Sequence, residues 1–247
     1  MKNSFLIKFL LFILVSSLSL LCLSAFLTKN DYARALHTSS LPDTAPKYTK
    51  VIIDAGHGGE DGGASSKSGL VEKDVNLSIA KKLADMLKMS GVEVIMTRED
   101  DRLLYDRNCD YKGRKKKLDL AARLEIMNQY DNAIFVSIHM NAFTDRSCSG
   151  LQVWYSKNDA ASLTLAKTIQ NNARLRLQTN NKRVVKEATS AINLLFNATC
   201  PAVLIECGFL SNPDEASRFA TAEYRGEVAE NISYSIMEFL KSSDVSS

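Results

Sequence analysis

The chain has 247 residues, room for one ordinary domain with appendages and too little for a large multidomain machine. Apolar residues make up 45% and charged residues 24%, which excludes a disordered chain and predicts a packed core. Lys and Arg total 31 against 28 Asp and Glu, too even a balance for a nucleic-acid-binding surface, so no nucleic-acid partner is expected.

Lys2 and Lys8 precede a chargeless run from Phe9 to Leu27. The run exceeds the core of an ordinary signal peptide and just reaches the roughly 20 residues that span a bilayer. Residues 1–27 therefore read as a membrane anchor or a secretory signal, with Ala33-Arg34-Ala35 as a cleavage site in the second case. In both cases the remainder is exported. Residues 28–49 read as a linker carrying Pro42, Pro46 and a Thr-Ser-Ser cluster, and residues 50–243 as a single folded domain.

From Lys50 onward, short apolar runs alternate with stretches of helical period, which predicts an α/β fold: a mostly parallel, mixed sheet of about six strands flanked by helices. Val51-Ile52-Ile53 is the first strand. Val75, Ile79, Leu83, Met86 and Leu87 share one face of a helix that stops near Gly91, and Val92 to Met96 returns as a strand. A charged, irregular stretch at 99–117 ends in Arg114 to Lys117, read as a solvated face or loop that could touch anionic wall polymer. Leu120, Leu124 and Met127 mark the next helix, followed by a strand from Ala133 to Ile138. Val153-Trp154-Tyr155 suits a strand and Leu163 to Leu177 a helix. Ile192 to Phe196 and Ala202 to Ile205 read as two further strands. Pro213 opens a short helix, and Val228, Ile232, Ile236, Phe239 and Leu240 mark the buried face of the last.

Cys200 and Cys207 flank a strand and lie too far apart along it to pair. Cys109 and Cys148 fall in loops, where a pairing stays open. No C-x-x-C spacing exists, so a cysteine zinc site is not expected.

Open α/β sheets place ligands beyond the carboxyl ends of their strands. Two histidines fall there. His57 sits in Asp54-Ala55-Gly56-His57-Gly58-Gly59-Glu60-Asp61-Gly62-Gly63-Ala64, a glycine-rich loop with neither a P-loop ending nor a dinucleotide fingerprint. His139 sits in Ser137-Ile138-His139-Met140-Asn141. Each reads as a metal ligand or as a hydrogen-bonded structural residue. Asp54, Glu60, Asp61, Glu72, Asp74 and Glu206 are the carboxylates that could complete a site, and spacing does not choose among them.

These blocks, with Arg123, Asn128 and Pro201 to Ala216, occur in one order over residues 51 to about 240. In that order the sequence resembles the zinc-dependent N-acetylmuramoyl-L-alanine amidases that cleave bacterial peptidoglycan. The resemblance implies one Zn²⁺ per chain with His57, Glu72 and His139 as protein ligands, and Glu206 as the catalytic general base. It gives Asp54, Asp61 and Asn141 a supporting part around the ligands. The layout is similar to that of the sporulation and germination subgroup, which contributes to muramic-δ-lactam formation in spore cortex. An accessory envelope lipoprotein is an implied partner there. A zinc peptidase acting on the peptidoglycan stem, and a catalytically silent regulator that only binds peptidoglycan, are the alternatives.

Overall fold

The computed structural model describes residues 47–106, 108 and 112–245. The apolar leader, nearly all of the linker and Cys109 lie outside the described residues, and with them the anchor-or-signal question and the Cys109–Cys148 pairing. Among the described residues no helix is long and apolar enough to cross a membrane.

Six strands, β1 (Lys50–Ala55), β2 (Glu93–Met96), β3 (Ala133–Asn141), β4 (Gln152–Tyr155), β5 (Lys186–Glu187) and β6 (Ala202–Phe209), form one sheet in the order β2-β1-β3-β6-β4-β5. All neighbours run parallel except β4 and β6, so the sheet is mixed, as expected. Among the described residues six α-helices accompany it: α1 (Glu72–Met89), α2 (Lys115–Asn128), α3 (Ala160–Asn172), α4 (Asn193–Phe196), α5 (Pro213–Ala220) and α6 (Ala222–Val245). Central strands buried on both faces read as continuous apolar runs, and Val51, Ile52 and Ile53 are fully buried.

Side chains alternate across the sheet, so each strand feeds two cores. Val51, Ile53, Ile134, Val136, Ile138, Val203 and Ile205 join the larger core with the buried stripes of α1, α3 and α6. Ile52, Phe135, Ala202 and Leu204 join a smaller core with Met127 of α2 and Leu194 and Leu195 of α4. Continuing the alternation by two residues brings Asp54, Ser137, His139 and Glu206 to this second face, at the carboxyl ends of three adjacent parallel strands. The smaller core thus ends in a polar patch.

Local chemistry accounts for the helix ends. Glu72 and Asp74 sit in the first turn of α1, where negative charge favours the dipole, and Gly91 takes φ 82° just past its end. Asn212 caps α5 through Oδ1, which accepts from the amides of Asp214 and Glu215, with Pro213 in the first turn.

Four expectations need correction. Residues 192–196 hold the short helix α4 rather than a strand; an apolar run this brief fits either state, and here Leu194 and Leu195 turn into the smaller core. The helix expected through Leu177 leaves α geometry after Asn172 and continues as a π-turn over Ala173–Leu177. β3 and β6 outrun their apolar segments, so His139 and Glu206 lie inside strands, directly paired across the sheet. Tyr48, read as linker, is buried and stacks on Phe239 at 5.7 Å. Cys200 and Cys207 do not pair, as expected.

Candidate metal centre

Glu72, the first residue of α1, is only 3% exposed. Its Oε1 lies 3.2 Å from His57 Nε2 and 3.1 Å from His139 Nδ1, and donor atoms of the three residues all fall within 4.8 Å of one another. The carboxylate is held in place from behind. Oε2 accepts from the Ala64 amide at 2.7 Å and Oε1 from the Met140 amide at 3.0 Å. Burial would raise the Glu72 carboxyl, but the two imidazoles outweigh it and hold it far below the usual carboxylate range.

The loop after β1 is shaped around these donors. His57 has φ 61°, a left-handed conformation uncommon outside glycine, which turns its imidazole toward Glu72. On the other side of the ring, Nδ1 lies 2.9 Å from Asp61 Oδ2. Burial lowers the His57 pKa, Glu72 and Asp61 raise it, and the net shift is upward. Two glycines leave space that a side chain would fill. A Cβ on Gly63 would press on Glu72 and His57, and one on Gly56 would overlap the His139 ring.

Two buried guanidinium groups strap the same loop to the fold. Arg98 donates through Nε to the Ala55 carbonyl at 2.8 Å and through Nη2 to the Gly56 and Lys73 carbonyls at 3.0 and 2.9 Å. Arg123 donates to the Ala55 carbonyl at 2.9 Å and the His57 carbonyl at 2.7 Å, and pairs with Asp54 and Asp119. Burial would raise Asp54, but Arg123, with hydrogen bonds from Ser137 and Thr97, holds it below its ordinary value. Asp54 therefore acts on the loop through Arg123, while Asp61 meets His57 directly. Asn141 ends β3, where its carbonyl accepts from the Leu210 amide. Asn128 accepts from the Thr199 hydroxyl, away from the donors.

Of the other carboxylates, Glu60 pairs with Lys115, and Asp74 is exposed on α1. Glu206 sits beside the donors without touching them, its Oε2 buried and without a partner. Burial pushes its carboxyl above the ordinary value, against the pull of His139. A cleft of about 250 Å³ opens here, lined by His57, His139 and Glu206 together with Asp61, Lys116 and Ile192. Arg98, Lys73, whose Nζ donates to the Gly59 carbonyl at 2.7 Å, and Asn76, whose Nδ2 donates to the Gly56 carbonyl at 3.2 Å, were not legible as site residues. Arg98 has one usable signal, a lone arginine two residues beyond a strand end.

The donor set suits a small divalent cation. Two imidazoles and a carboxylate are the ligands of hydrolytic metal sites that keep one position open. A tetrahedron with metal–ligand bonds of 2.0–2.1 Å has edges of about 3.3–3.4 Å, close to the 3.1 and 3.2 Å between the Glu72 oxygen and the imidazole nitrogens.

The sequence pattern of the N-acetylmuramoyl-L-alanine amidases matches residues 51–238. The chain is 36% identical over 215 residues to the germination-specific N-acetylmuramoyl-L-alanine amidase of Bacillus subtilis, covering 87% of this chain and 89% of that protein. It superposes with a TM-score of 0.74 on the CwlD amidase from Clostridioides difficile, solved in complex with the GerS lipoprotein. The identity is 38%, over 78% of this chain and 99% of that one. The amidase AmiC2 of Nostoc punctiforme gives a TM-score of 0.66 at 31% identity, over 80% of this chain and 99% of that one.

Proposed function

This chain belongs to the N-acetylmuramoyl-L-alanine amidase family and acts on peptidoglycan, and we propose that it does so with one zinc ion held by His57, Glu72 and His139. The observation that supports this reading most is the convergence of those donors around one carboxylate oxygen, with an unpartnered carboxylate, Glu206, facing the same cleft. Bound there, zinc lowers the pKa of a water toward 7 and polarises the scissile carbonyl.

The chain's own residues supply the rest. Asp61 fixes the His57 ring so that Nε2 faces the centre, and the amides of Ala64 and Met140 fix Glu72. Glu206 accepts the proton of the attacking water and returns it to the nitrogen of L-Ala as the amide C–N bond breaks. Its Oε2 has no other hydrogen-bond partner, so it is free to hold that proton between the two transfers. General acid–base help of this kind is worth about 10²–10⁴-fold.

We assign the cleaved bond to the amide between the lactyl group of N-acetylmuramic acid and L-Ala. The B. subtilis relative is germination-specific by name, which supports a germination role here, and we extend that reading to muramic-δ-lactam formation in spore cortex. The lipoprotein in the C. difficile complex is compatible with an accessory lipoprotein here. Action on peptidoglycan supports a location outside the cytoplasm for the catalytic domain, which takes in Tyr48 and runs to about residue 243. Residues 1–27 then serve as anchor or signal and the segment between them and the domain as linker.

Product analysis tests the assignment. Incubation with purified peptidoglycan should release L-Ala amino termini and peptide-free glycan with no rise in reducing ends. New amines on other stem residues alone would instead identify a stem peptidase. No product from a soluble muramyl peptide, with zinc bound and a lipoprotein partner supplied, would identify a silent binder.

A further inference from the structure

The cleft beside Glu206 has a mixed lining. Ala191, Ile192 and Leu194 come from the α4 segment, Asp61 from the loop after β1, and Lys116, Asp119, Leu120 and Arg123 from α2. Most of these charges are matched. Arg123 lies between Asp54 and Asp119, and Asp61 is in contact with His57 at 2.9 Å.

Lys116 differs. Its side chain is 71% exposed, and it makes only a long, exposed ion pair with Asp61, Nζ to Oδ2 at 3.8 Å, which a substrate carboxylate can supplement. It stands in the first turn of α2, which holds no acidic residue, although the free amides there already make that end positive. Arg114 to Lys117 therefore add repulsion to the helix, and at position 116 the cation faces the reaction cleft. An arrangement unfavourable to the helix becomes useful when an anion enters beside it.

We propose that Lys116 is a specificity-determining residue: it attracts a carboxylate on the peptide side of the scissile amide and so orients the stem peptide along the amino end of α2. The inference rests on the amidase reading above and deepens it. N-acetylated sugars are neutral, and the lactyl carboxyl is consumed in the amide being cut. Free carboxylates therefore lie on the stem peptide, and only that half of the substrate offers an ammonium group a partner. The glycan is left to Ala191, Ile192 and Leu194.

The test uses two muramyl pentapeptides that differ in one group, the α-carboxyl of the residue after L-Ala, free in one and amidated in the other. Zinc-loaded enzyme should show a KM about two- to fivefold lower for the free acid, the range of an exposed ion pair, with kcat nearly equal. Lys116→Ala should bring the two KM values together, and Lys116→Arg should keep them apart. A loss of fold or of zinc would lower both substrates alike and leave the ratio intact, so the ratio isolates the charge. Binding of both peptides to zinc-loaded Glu206→Gln supplies the same comparison without turnover. Equal treatment of the two by the parent, or a preference that survives Lys116→Ala, overturns the inference. If neither peptide is cut although zinc is bound and a lipoprotein partner is supplied, the amidase reading itself fails, and the Glu206→Gln affinities still decide whether Lys116 reads the carboxylate.

Discussion

A single methyl group at Gly56 should separate metal binding from folding. Gly56 has no left-handed φ, so alanine fits its backbone, but the added Cβ would lie 2.8 Å from His139 Cδ2 and closer still to Cε1 and Nε2. Carbon–carbon contacts are comfortable at about 3.5 Å, so the ring must withdraw by roughly 0.7 Å or more. Metal sites tolerate about 0.2 Å in ligand distance, so a displacement of that size takes His139 out of the ligand set. Overpacking of this kind costs about 1–3 kcal/mol, or a fall in Tm of roughly 2–12 °C for a domain of this size. Gly56→Ala should therefore remain folded while its zinc affinity falls by at least about 10–100-fold, the loss seen when ligands are merely misoriented. Gly226→Ala is the control: nothing lies within 4 Å of its Cβ position, and alanine inside α6 should stabilise by about 1 kcal/mol. Thermal melts of the zinc-free proteins and competition titration against a chelator measure the two effects. Zinc affinity and turnover at the parent level in Gly56→Ala would refute the idea that this glycine sets the position of His139.

His57→Ala and His139→Ala should each lose bound zinc by elemental analysis while keeping the helical circular dichroism of the parent; full occupancy in both would remove them from the ligand set. Glu206→Gln should bind zinc normally and lose at least about 10²-fold in kcat, and a loss under threefold would move the proton transfer to another group. Arg123→Met strands Asp54 and Asp119 without their buried cation, which should cost about 3–5 kcal/mol in urea unfolding. Asp54 carries a depressed folded-state pKa, so its contribution is complete above its ordinary value of 3.8 and disappears as pH falls through the folded value. Between pH 5 and 2 the parent should accordingly lose more stability than Asp54→Asn, and parallel curves would contradict the pairing.

How much of this was legible in the sequence depended on periodicity. The continuous apolar runs of β1, β3 and β6 and the helical-period apolar stripes of α1 and α6 are clear signals, and the structure follows them. The glycine-rich loop and His139 were legible because strand ends are where open α/β sheets build sites. Residues 192–196 misled because four or five apolar residues carry no period, and only the smaller core decides that they coil. Arg98 was hidden in an ordinary charged stretch, since its meaning lies in two carbonyls more than 40 positions away. The Lys116 cation looked like solvated surface until α2 brought it to the cleft.

Arg98 and Arg123 satisfy the carbonyls of Ala55, Gly56 and His57 from within the protein, and the Gly58 amide is satisfied by Asp61. The bend that presents His57 is thus folded before any cation arrives. Fixing each backbone residue costs about 1–2 kcal/mol, so an ion entering a loop already ordered avoids several such terms and has only side-chain rotamers to select. Zinc fingers stand at the opposite pole, since their metal is their folding energy. In this protein a chelator should silence the chemistry while leaving the hydrogen-bonded amides of Gly56 and Gly58 slow to exchange with deuterated water, and returning the ion should restore activity without a refolding step.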